Sequence, residues 1–171
     1  MQVQTEYTSA MSRKYPEAVV VAIARDSLGK CNPITLGWCM PTSHVPPMLA
    51  ISVGVTRYSL DVIRHAREFV ISFPSSRMVD EVLYYGTTSG REIDKFGKSP
   101  LLTENASEID CVIITDAVSN FECRLESEHP TGDHVIFVGR VVASHANEDP
   151  EVERLYKLEK ALTLGGVAKL S

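Results

Sequence analysis

The sequence of 171 residues lacks the patterns that mark the commoner metal and nucleotide sites. Its four cysteines, Cys31, Cys39, Cys111 and Cys123, form no CxxC pair, and together with the five histidines they show no metal-ligand spacing. We therefore expect reduced thiols in or beside a core, and no bound metal. Neither a GxGxxG segment nor a P-loop occurs, so a nucleotide phosphate would not be held in either common glycine-rich cradle.

Long apolar runs and an excess of positive charge are also missing. Every apolar run is far shorter than the ~20 residues that a membrane-spanning helix needs. Residues 1–6 show no basic region followed by an apolar one, as a secretory signal would. We therefore expect a cytoplasmic protein with no membrane association. The formal net charge of -5 predicts no nucleic-acid partner, and it requires a local cluster of cations wherever an anion is to bind.

The composition is that of an ordinary globular protein, with 44% hydrophobic and 23% charged residues. The chain is long enough to bury a sizeable core, and no repeat, low-complexity tract or linker interrupts it. We therefore predict a single domain over residues 1–171. Within it, residues 1–15 are expected to form a polar lead-in that is only partly ordered.

Short apolar or alternating segments bounded by turns predict strands in both halves of the chain. These segments cover residues 18–24, 34–38, 48–55, 68–74, 111–117, 121–125 and 134–144. Gly139, in the last segment, is expected to mark a bulge or a close approach. Helical spacing predicts short helices over residues 60–67, with Ser59 as the N-cap, and over 78–86. The charged segment 150–162 is also expected to be helical.

This order of elements favours a β-barrel over a doubly wound sheet. The strict alternation of strand and helix that a Rossmann fold requires is missing. The two short helices near the middle are separated from the later strands by a polar loop over residues 87–98. The prolines Pro46 and Pro47 predict a non-helical connection between the second and third strands. The predicted fold class is therefore mainly β, a barrel with a few short helices.

The segment Thr56-Arg57-Tyr58-Ser59 stands directly before a predicted helix and is the first functional clue. The free N–H groups and the positive dipole end of a helix favour an anion, and an arginine adds a charged donor fork. In a chain of net negative charge such a cluster is informative, and it indicates a phosphate site. The alternative interpretation is a surface arginine beside an ordinary helix start.

Several short motifs, taken in their order, resemble those of a known family. They are the Asn-Pro-Ile-Thr-Leu-Gly-Trp run at 32–38, Pro46-Pro47, Arg57-Tyr58-Ser59, residues 69–73, Gly86 through Ser89-Gly90-Arg91 to Asp94-Lys95-Phe96, Gly132-Asp133-His134 and Leu164-Gly165-Gly166. The chain resembles the flavin reductase-like, FMN-binding split-barrel proteins, and most of all the flavoredoxin type. The resemblance extends from about residue 18 to residue 167.

The resemblance implies a Greek-key split β-barrel that forms a homodimer and holds FMN near the subunit interface. On this basis the region of the isoalloxazine and ribityl groups would be lined by Asn32, Ile34, Thr35, Leu36 and Trp38. The phosphate would be bound by Arg57, Tyr58 and Ser59, and Lys95 would contact the flavin or its phosphate. His134 would lie close to the flavin, in its own subunit or in its neighbour's, and is the candidate for a catalytic role.

Each of these residues also has a structural interpretation. Trp38 could be a core aromatic, Asn32 a turn former before proline, and His134 an exposed turn residue. For Arg91 a solvated loop is favoured over ligand binding. No nucleophile with a base and no carboxylate pair stands out, as expected where a flavin carries the chemistry. Relatives often carry an aromatic residue after the closing Gly-Gly, whereas this chain has Val167, which alters the cover expected over the flavin.

The leading functional interpretation is an FMN-dependent oxidoreductase that takes hydride from NADH or NADPH. It would pass electrons to free flavin, to another acceptor or to a redox partner protein. A second interpretation is a flavoredoxin-type electron carrier reduced by a protein rather than by a nicotinamide. A third is a split-barrel binding domain that uses FMN little or not at all. The residues do not choose between NADH and NADPH.

Overall fold

The computed structural model describes residues 1–159 and 163–167. Its helices are α1 (Tyr7–Met11), α2 (Tyr58–Ala66) and α3 (Val79–Thr87), with single 3-10 turns at Ser76–Met78 and Phe96–Lys98. Its strands are β1 (Glu17–Ala18), β2 (Val20–Arg25), β3 (Cys31–Leu36), β4 (Cys39–His44), β5 (Pro47–Gly54), β6 (Glu68–Phe73), β7 (Thr103–Asn105), β8 (Val112–Ile114), β9 (Ser119–Thr131), β10 (His134–Ala146), β11 (Tyr156–Lys157) and β12 (Leu164–Gly165). No helix in this described part is both long and apolar enough to cross a membrane.

The main sheet has seven strands in the order β3-β2-β6-β9-β10-β5-β4. All neighbouring strands in it are antiparallel. Two small sheets, β1-β11-β12 and β7-β8, lie apart from it. The prediction of a mainly β fold with a few short helices is therefore confirmed.

Strand β2 is buried on both faces and separates two groups of apolar side chains. Val20 and Ala22 belong to the group that packs around α2, whereas Val21 and Ile23 belong to the group that packs around α3. A strand buried on both faces reads as a continuous apolar run, which is how its sequence appears. Because β3 precedes α2 and lies beside α3, this packing brings the ends of both helices to β3.

Helix α2 has its apolar residues on one face, with Leu60, Val62 and Ile63 buried. It begins at Tyr58, so the prediction that Ser59 is its N-cap is wrong. Arg57 occupies the N-cap position, and its side chain does not bond to the N–H groups of the helix. Ser59 is instead buried inside the first turn, where its hydroxyl is a partner for a distant residue.

Other boundaries differ where long-range contacts decide them. Residues 39–44 were expected to belong to a non-helical connection, but they form strand β4 at the edge of the sheet, where proline is tolerated. Residues 111–117 form only the short strand β8, and 121–125 extend into the long strand β9. The predicted helix over 150–162 is wrong for residues 150–159, which are turns and extended chain, and residues 160–162 lie outside the described residues.

Gly139 lies at a register shift in the long β9–β10 hairpin, between Val138 and Gly139. A Cβ atom at Gly139 would stand 2.7 Å from the Cβ of Cys123 and 2.7 Å from the Cζ of Phe69. Both the bulge and the close approach expected at this glycine are therefore confirmed.

Glu122 in β9 is a fully buried carboxylate that holds a loop against the sheet. It accepts hydrogen bonds from the Ser107 amide at 2.8 Å, the Ser107 hydroxyl at 2.8 Å and the Glu108 amide at 2.7 Å, and its Oε1 lies 2.6 Å from the Nε2 of His145. Burial by itself would raise the pKa of Glu122, but these donors lower it from 4.5 to about 2. The charged carboxylate therefore stabilises the fold.

Replacing Glu122 by glutamine should lower the free energy of unfolding at neutral pH by roughly 1–3 kcal/mol, because charge-assisted hydrogen bonds are lost. In the wild type this stabilisation is complete above the unfolded pKa of 4.5 and disappears as the pH falls toward 2. Urea unfolding between neutral and acid pH measures both effects.

The control for this experiment is Glu126→Gln on the same strand, where the carboxylate forms an exposed ion pair with Arg140. Its effect should stay below about 1 kcal/mol. Equal losses in the two variants would contradict the role assigned to Glu122.

Candidate functional site

A basic pocket of about 180 Å³ lies between the start of α2, the end of α3 and the loop that follows α3. Its lining residues are Ile34, Thr56–Ser59, Tyr85–Arg91 and Lys95. Three of them, Arg57, Arg91 and Lys95, are cations, and no Asp or Glu is among them. Hydroxyl side chains make up much of the remainder. A pocket with this lining in a chain of net charge -5 favours an anion.

Arg57 lies at the mouth of the basic pocket, directly before α2. Within the described residues its guanidinium forms no ion pair. The first N–H groups of α2 have no partner within the helix, and no N-cap side chain satisfies them. Both the cation and the helix start are therefore able to interact with an anion.

Asn32 and Ser59 join β3 to the first turn of α2 by a buried hydrogen bond. The Nδ2 of Asn32 donates to the Ser59 Oγ at 2.8 Å. The Oδ1 of Asn32 is buried and has no hydrogen-bond partner among the described residues. An unpaired buried acceptor is costly, and this one lies behind the basic pocket, against Gly90 of its lining.

Arg91 lines the basic pocket from a loop, and its side chain is 56% exposed, as the expected solvated loop position implies. Its guanidinium lies over the Tyr58 ring, 5.5 Å from the centroid, and its Nη2 is 3.4 Å from the Asp61 carboxylate. The Tyr58 hydroxyl in turn donates to Asp26 at 3.2 Å. Contacts with α2 thus keep the loop cation beside Arg57. The only sequence signal for this was its place after Ser89-Gly90.

Lys95 is buried, with 4% of its surface exposed, and its ammonium group is held by the backbone. It donates to the carbonyl of Pro33 at 2.7 Å and to that of Tyr85 at 2.9 Å. Burial, and then the charge of Arg57, lower the pKa of Lys95 to about 8. Lys95 therefore ties β3 to α3 and adds positive charge at the floor of the pocket.

A second pocket of about 290 Å³, the aromatic cleft, shares Ile34 and Arg57 with the basic pocket. Thr35, Leu36, Trp38 and His134, all expected from the sequence to lie near one ligand, line it. The Thr35 hydroxyl is used by the fold, since it donates to the Val82 carbonyl at 2.6 Å.

Trp38 is 46% exposed, so the interpretation as a core aromatic is wrong. Its ring lies 4.6 Å from the His134 ring, at an interplanar angle of 43°. The Nδ1 of His134 is 2.7 Å from the Asp133 carboxylate. This hydrogen bond, together with the charge interaction, lowers the pKa of Asp133. Trp38 and His134 together line one side of the aromatic cleft.

The N-terminal segment closes the other side of the aromatic cleft, which the sequence did not indicate. Met11, Lys14, Tyr15 and Glu17 line it together with Lys157. The Tyr15 ring lies between two ammonium groups, 5.6 Å from that of Lys14 and 5.1 Å from that of Lys157. No group of His, Cys, Asp and Glu side chains in the described ranges is arranged to hold a metal ion.

Nine of the ten residues that the resemblance named for the flavin site line the two pockets, and the tenth, Asn32, is joined to them through Ser59. The model of the flavin reductase like domain matches residues 11–163. The chain belongs to this family. The match covers the main sheet, both pockets and the N-terminal residues that line the aromatic cleft.

Individual relatives agree with this assignment. An NADH-dependent FMN reductase of Streptomyces nodosus subsp. asukaensis is 28% identical over 148 residues, which are 85% of this chain and 76% of the relative. The crystal structure of an FMN-binding protein from Thermus thermophilus with bound p-hydroxybenzaldehyde has a TM-score of 0.84 at 27% identity, covering 100% of this chain and 97% of that one. A flavoredoxin from Methanosarcina acetivorans has a TM-score of 0.87 at 24% identity, covering 100% and 94%. The expected split-barrel fold is thereby confirmed.

Replacing Gly90 by alanine should disturb the basic pocket. A Cβ there would stand 1.9 Å from the Asn32 Oδ1 and 3.3 Å from the Tyr58 ring. We expect the melting temperature to fall by about 2–12 °C, as an overpacked site costs roughly 1–3 kcal/mol. The control is Gly54→Ala, whose Cβ would meet Arg57 and His134 at an ordinary 3.6 Å. A Gly90→Ala protein as stable as the control would show that the loop does not pack on Asn32.

Proposed function

We propose that this protein binds FMN and acts as an NAD(P)H-dependent flavin reductase-like oxidoreductase. One observation carries the proposal: the basic pocket, with three cations and no carboxylate in its lining, continues through Arg57 into the aromatic cleft beside Trp38 and His134. FMN has the same sequence of parts, a phosphate joined by a polyhydroxyl chain to a planar aromatic ring.

The residues present fit this cofactor. Arg57, Arg91 and the N–H groups at the start of α2 would hold the phosphate, with Ser89 and the threonine hydroxyls of the basic pocket as further donors. The unpaired Oδ1 of Asn32 would accept a hydrogen bond from a hydroxyl or ring N–H group of the ligand. Trp38 and His134 would face the ring, and Met11 and Tyr15 would limit access of water to it.

The cofactor supplies the hydride and electron chemistry when it is bound, and the protein supplies position and electrostatics. Lys95 places a positive charge where β3 meets the basic pocket, and Coulomb attraction there favours an anionic ligand. His134 holds its imidazole toward Trp38 through the hydrogen bond to Asp133. The His134 ring, at the start of β10, lines the aromatic cleft beside Trp38, so it is the candidate for handling a proton there.

The NADH-dependent relative supports a nicotinamide as the electron donor. The final acceptor would be free flavin, another small acceptor or a redox partner protein.

We also propose a homodimer, because Met40 and Val45 expose apolar surface on β4 and the loop after it, at 53% and 92%. Light scattering on the purified protein measures this state, and a monomer at micromolar concentration would contradict it.

Arg57→Ala should weaken FMN binding by about tenfold to a hundredfold, since a charged hydrogen bond to phosphate is lost. Riboflavin, which lacks the phosphate, should bind the wild type and the variant about equally. Quenching of flavin fluorescence on titration into apoprotein measures both. Arg64→Ala is the matched control, because Arg64 lies on the same helix but pairs with Glu128 instead. Equal loss of FMN and riboflavin affinity would contradict a phosphate role for Arg57.

Anaerobic mixing of the FMN-loaded protein with NADH or NADPH should bleach the flavin absorbance. His134→Ala should slow this reaction while leaving FMN affinity within a few-fold of the wild type, since the phosphate contacts are intact. Stopped-flow absorbance measures the rate. Flavin that stays oxidised with both nicotinamides but is reduced by a protein donor would make this chain an electron carrier instead.

A further inference from the structure

Cys31 and Cys111 come from distant parts of the sequence and meet beside the candidate site. Cys31 begins β3 and is half-buried, and Cys111 stands directly before β8 with 2% of its surface exposed. Cys31 packs against the apolar group that contains Cys111. The Cys111 thiol also donates to the Ile23 carbonyl on β2, at 3.4 Å.

A charged residue holds the two segments together. Arg25 lies opposite Cys31 in the β2–β3 register. Its Nε is 3.2 Å from the Asp110 carbonyl and 2.9 Å from the Asp110 carboxylate. The residue beside Cys111 is thus fixed to the strand partner of Cys31. This places a guanidinium next to an accessible thiol, the setting in which cysteines are reactive.

Cys31 has the properties of an attacking thiol, and Cys111 has those of a resolving thiol. Interaction with the Cys111 thiol lowers the pKa of Cys31; burial opposes this change, and the charge of Arg25 assists it. The same interaction and nearly complete burial raise the pKa of Cys111. Burial raises the pKa of Cys39, which is also half-buried, to about 11. Reactivity toward oxidants should therefore concentrate on Cys31.

We propose that Cys31 and Cys111 form a peroxide-sensitive dithiol pair whose oxidation to a disulfide shifts Asn32 and weakens ligand binding beside it. The Cys31 thiolate attacks hydrogen peroxide, forming a sulfenic acid and releasing hydroxide. The Cys111 thiol then attacks the sulfenic sulfur, and a disulfide and water are formed. Overall two thiols and one peroxide give one disulfide and two waters, so peroxide is reduced as the pair is oxidised. A small-molecule thiol reverses the change by exchange.

The disulfide would reach the ligand site through the backbone of β3. Neighbouring side chains on a strand point to opposite faces, so Cys31 faces Cys111 while Asn32 faces Ser59. The two sulfur atoms must come to within about 2 Å of each other to form the bond. This contraction draws the start of β3 toward Cys111 and strains the Asn32–Ser59 hydrogen bond. The effect on binding rests on the proposed FMN site, whereas the disulfide does not.

The test treats the reduced full-length protein with a small excess of hydrogen peroxide and maps the cysteines by alkylation and mass spectrometry. We expect one intramolecular Cys31–Cys111 cross-link that dithiothreitol removes. Cys39→Ser should keep the cross-link. Cys111→Ser should lose it and leave a Cys31 sulfenic acid that dimedone traps. If Cys111→Ser does not fold, Cys31→Ser replaces it, and Cys111 should then stay reduced in peroxide.

Three outcomes would overturn the pair. They are full alkylation of Cys31 and Cys111 after peroxide treatment, a cross-link through Cys39 or Cys123, and a cross-link between chains.

The effect of the disulfide on ligand binding is tested by titrating FMN into the reduced and the oxidised protein, with the melting temperature without FMN as a second readout. A several-fold weaker FMN affinity in the oxidised form supports this effect, and equal affinity overturns it. A protein that forms the disulfide but binds FMN in neither state overturns the proposed function and leaves the pair established.

Discussion

Burial of β2 on both faces is the constraint on which the rest of the structure depends. Its side chains fill the barrel around α2 on one face and the layer under α3 on the other. Its backbone groups pair with β3 on one side and with β6 on the other. With β2 fixed in this way, β3 becomes an edge strand of the main sheet. The candidate site is built along that edge.

An exposed strand edge presents unpaired backbone groups and must be covered. The edge of β3 is covered by hydrogen bonds as well as by packing. Lys95 donates to the Pro33 carbonyl, and the Thr35 hydroxyl donates to α3. Asn32 bonds to the first turn of α2. The groups that close the edge of β3 thus also fix the helix ends that surround the basic pocket. The same hydrogen bonds therefore stabilise the sheet and determine the shape of the site.

The sequence predicted elements whose cause is local and missed those whose cause lies far along the chain. Strands β2 and β6 were expected because burial on both faces leaves continuous apolar runs. The helix expected after residue 150 does not form in the described part, because Leu155 is buried in the core and the Leu155 amide donates to the Pro74 carbonyl. The charge pattern of that segment contains no information about this partner. Ser59 was taken as a cap for the same reason, since its bond to Asn32 spans two elements.

The candidate site shows the same division. Residues of the family motifs could be named because short segments carry them, and these segments line the two pockets. That Arg91 lines the basic pocket could not be predicted, because its position depends on Tyr58 and Asp61, which nothing in its own loop indicates. Met11 and Tyr15 were not named at all, because their closure of the aromatic cleft requires the folded sheet behind them.

The basic pocket takes its walls from β3, the start of α2 and the end of α3, which are brought together only by the complete sheet. An unfolded chain would therefore have almost no affinity for the anion proposed to bind in this pocket. By mass action, any such ligand adds RT ln(1 + [L]/Kd) to the stability of the native state, about 2.7 kcal/mol at a hundred times Kd. The supply of ligand in a cell would then set not only how much of this protein is active but also how long each copy survives proteolysis.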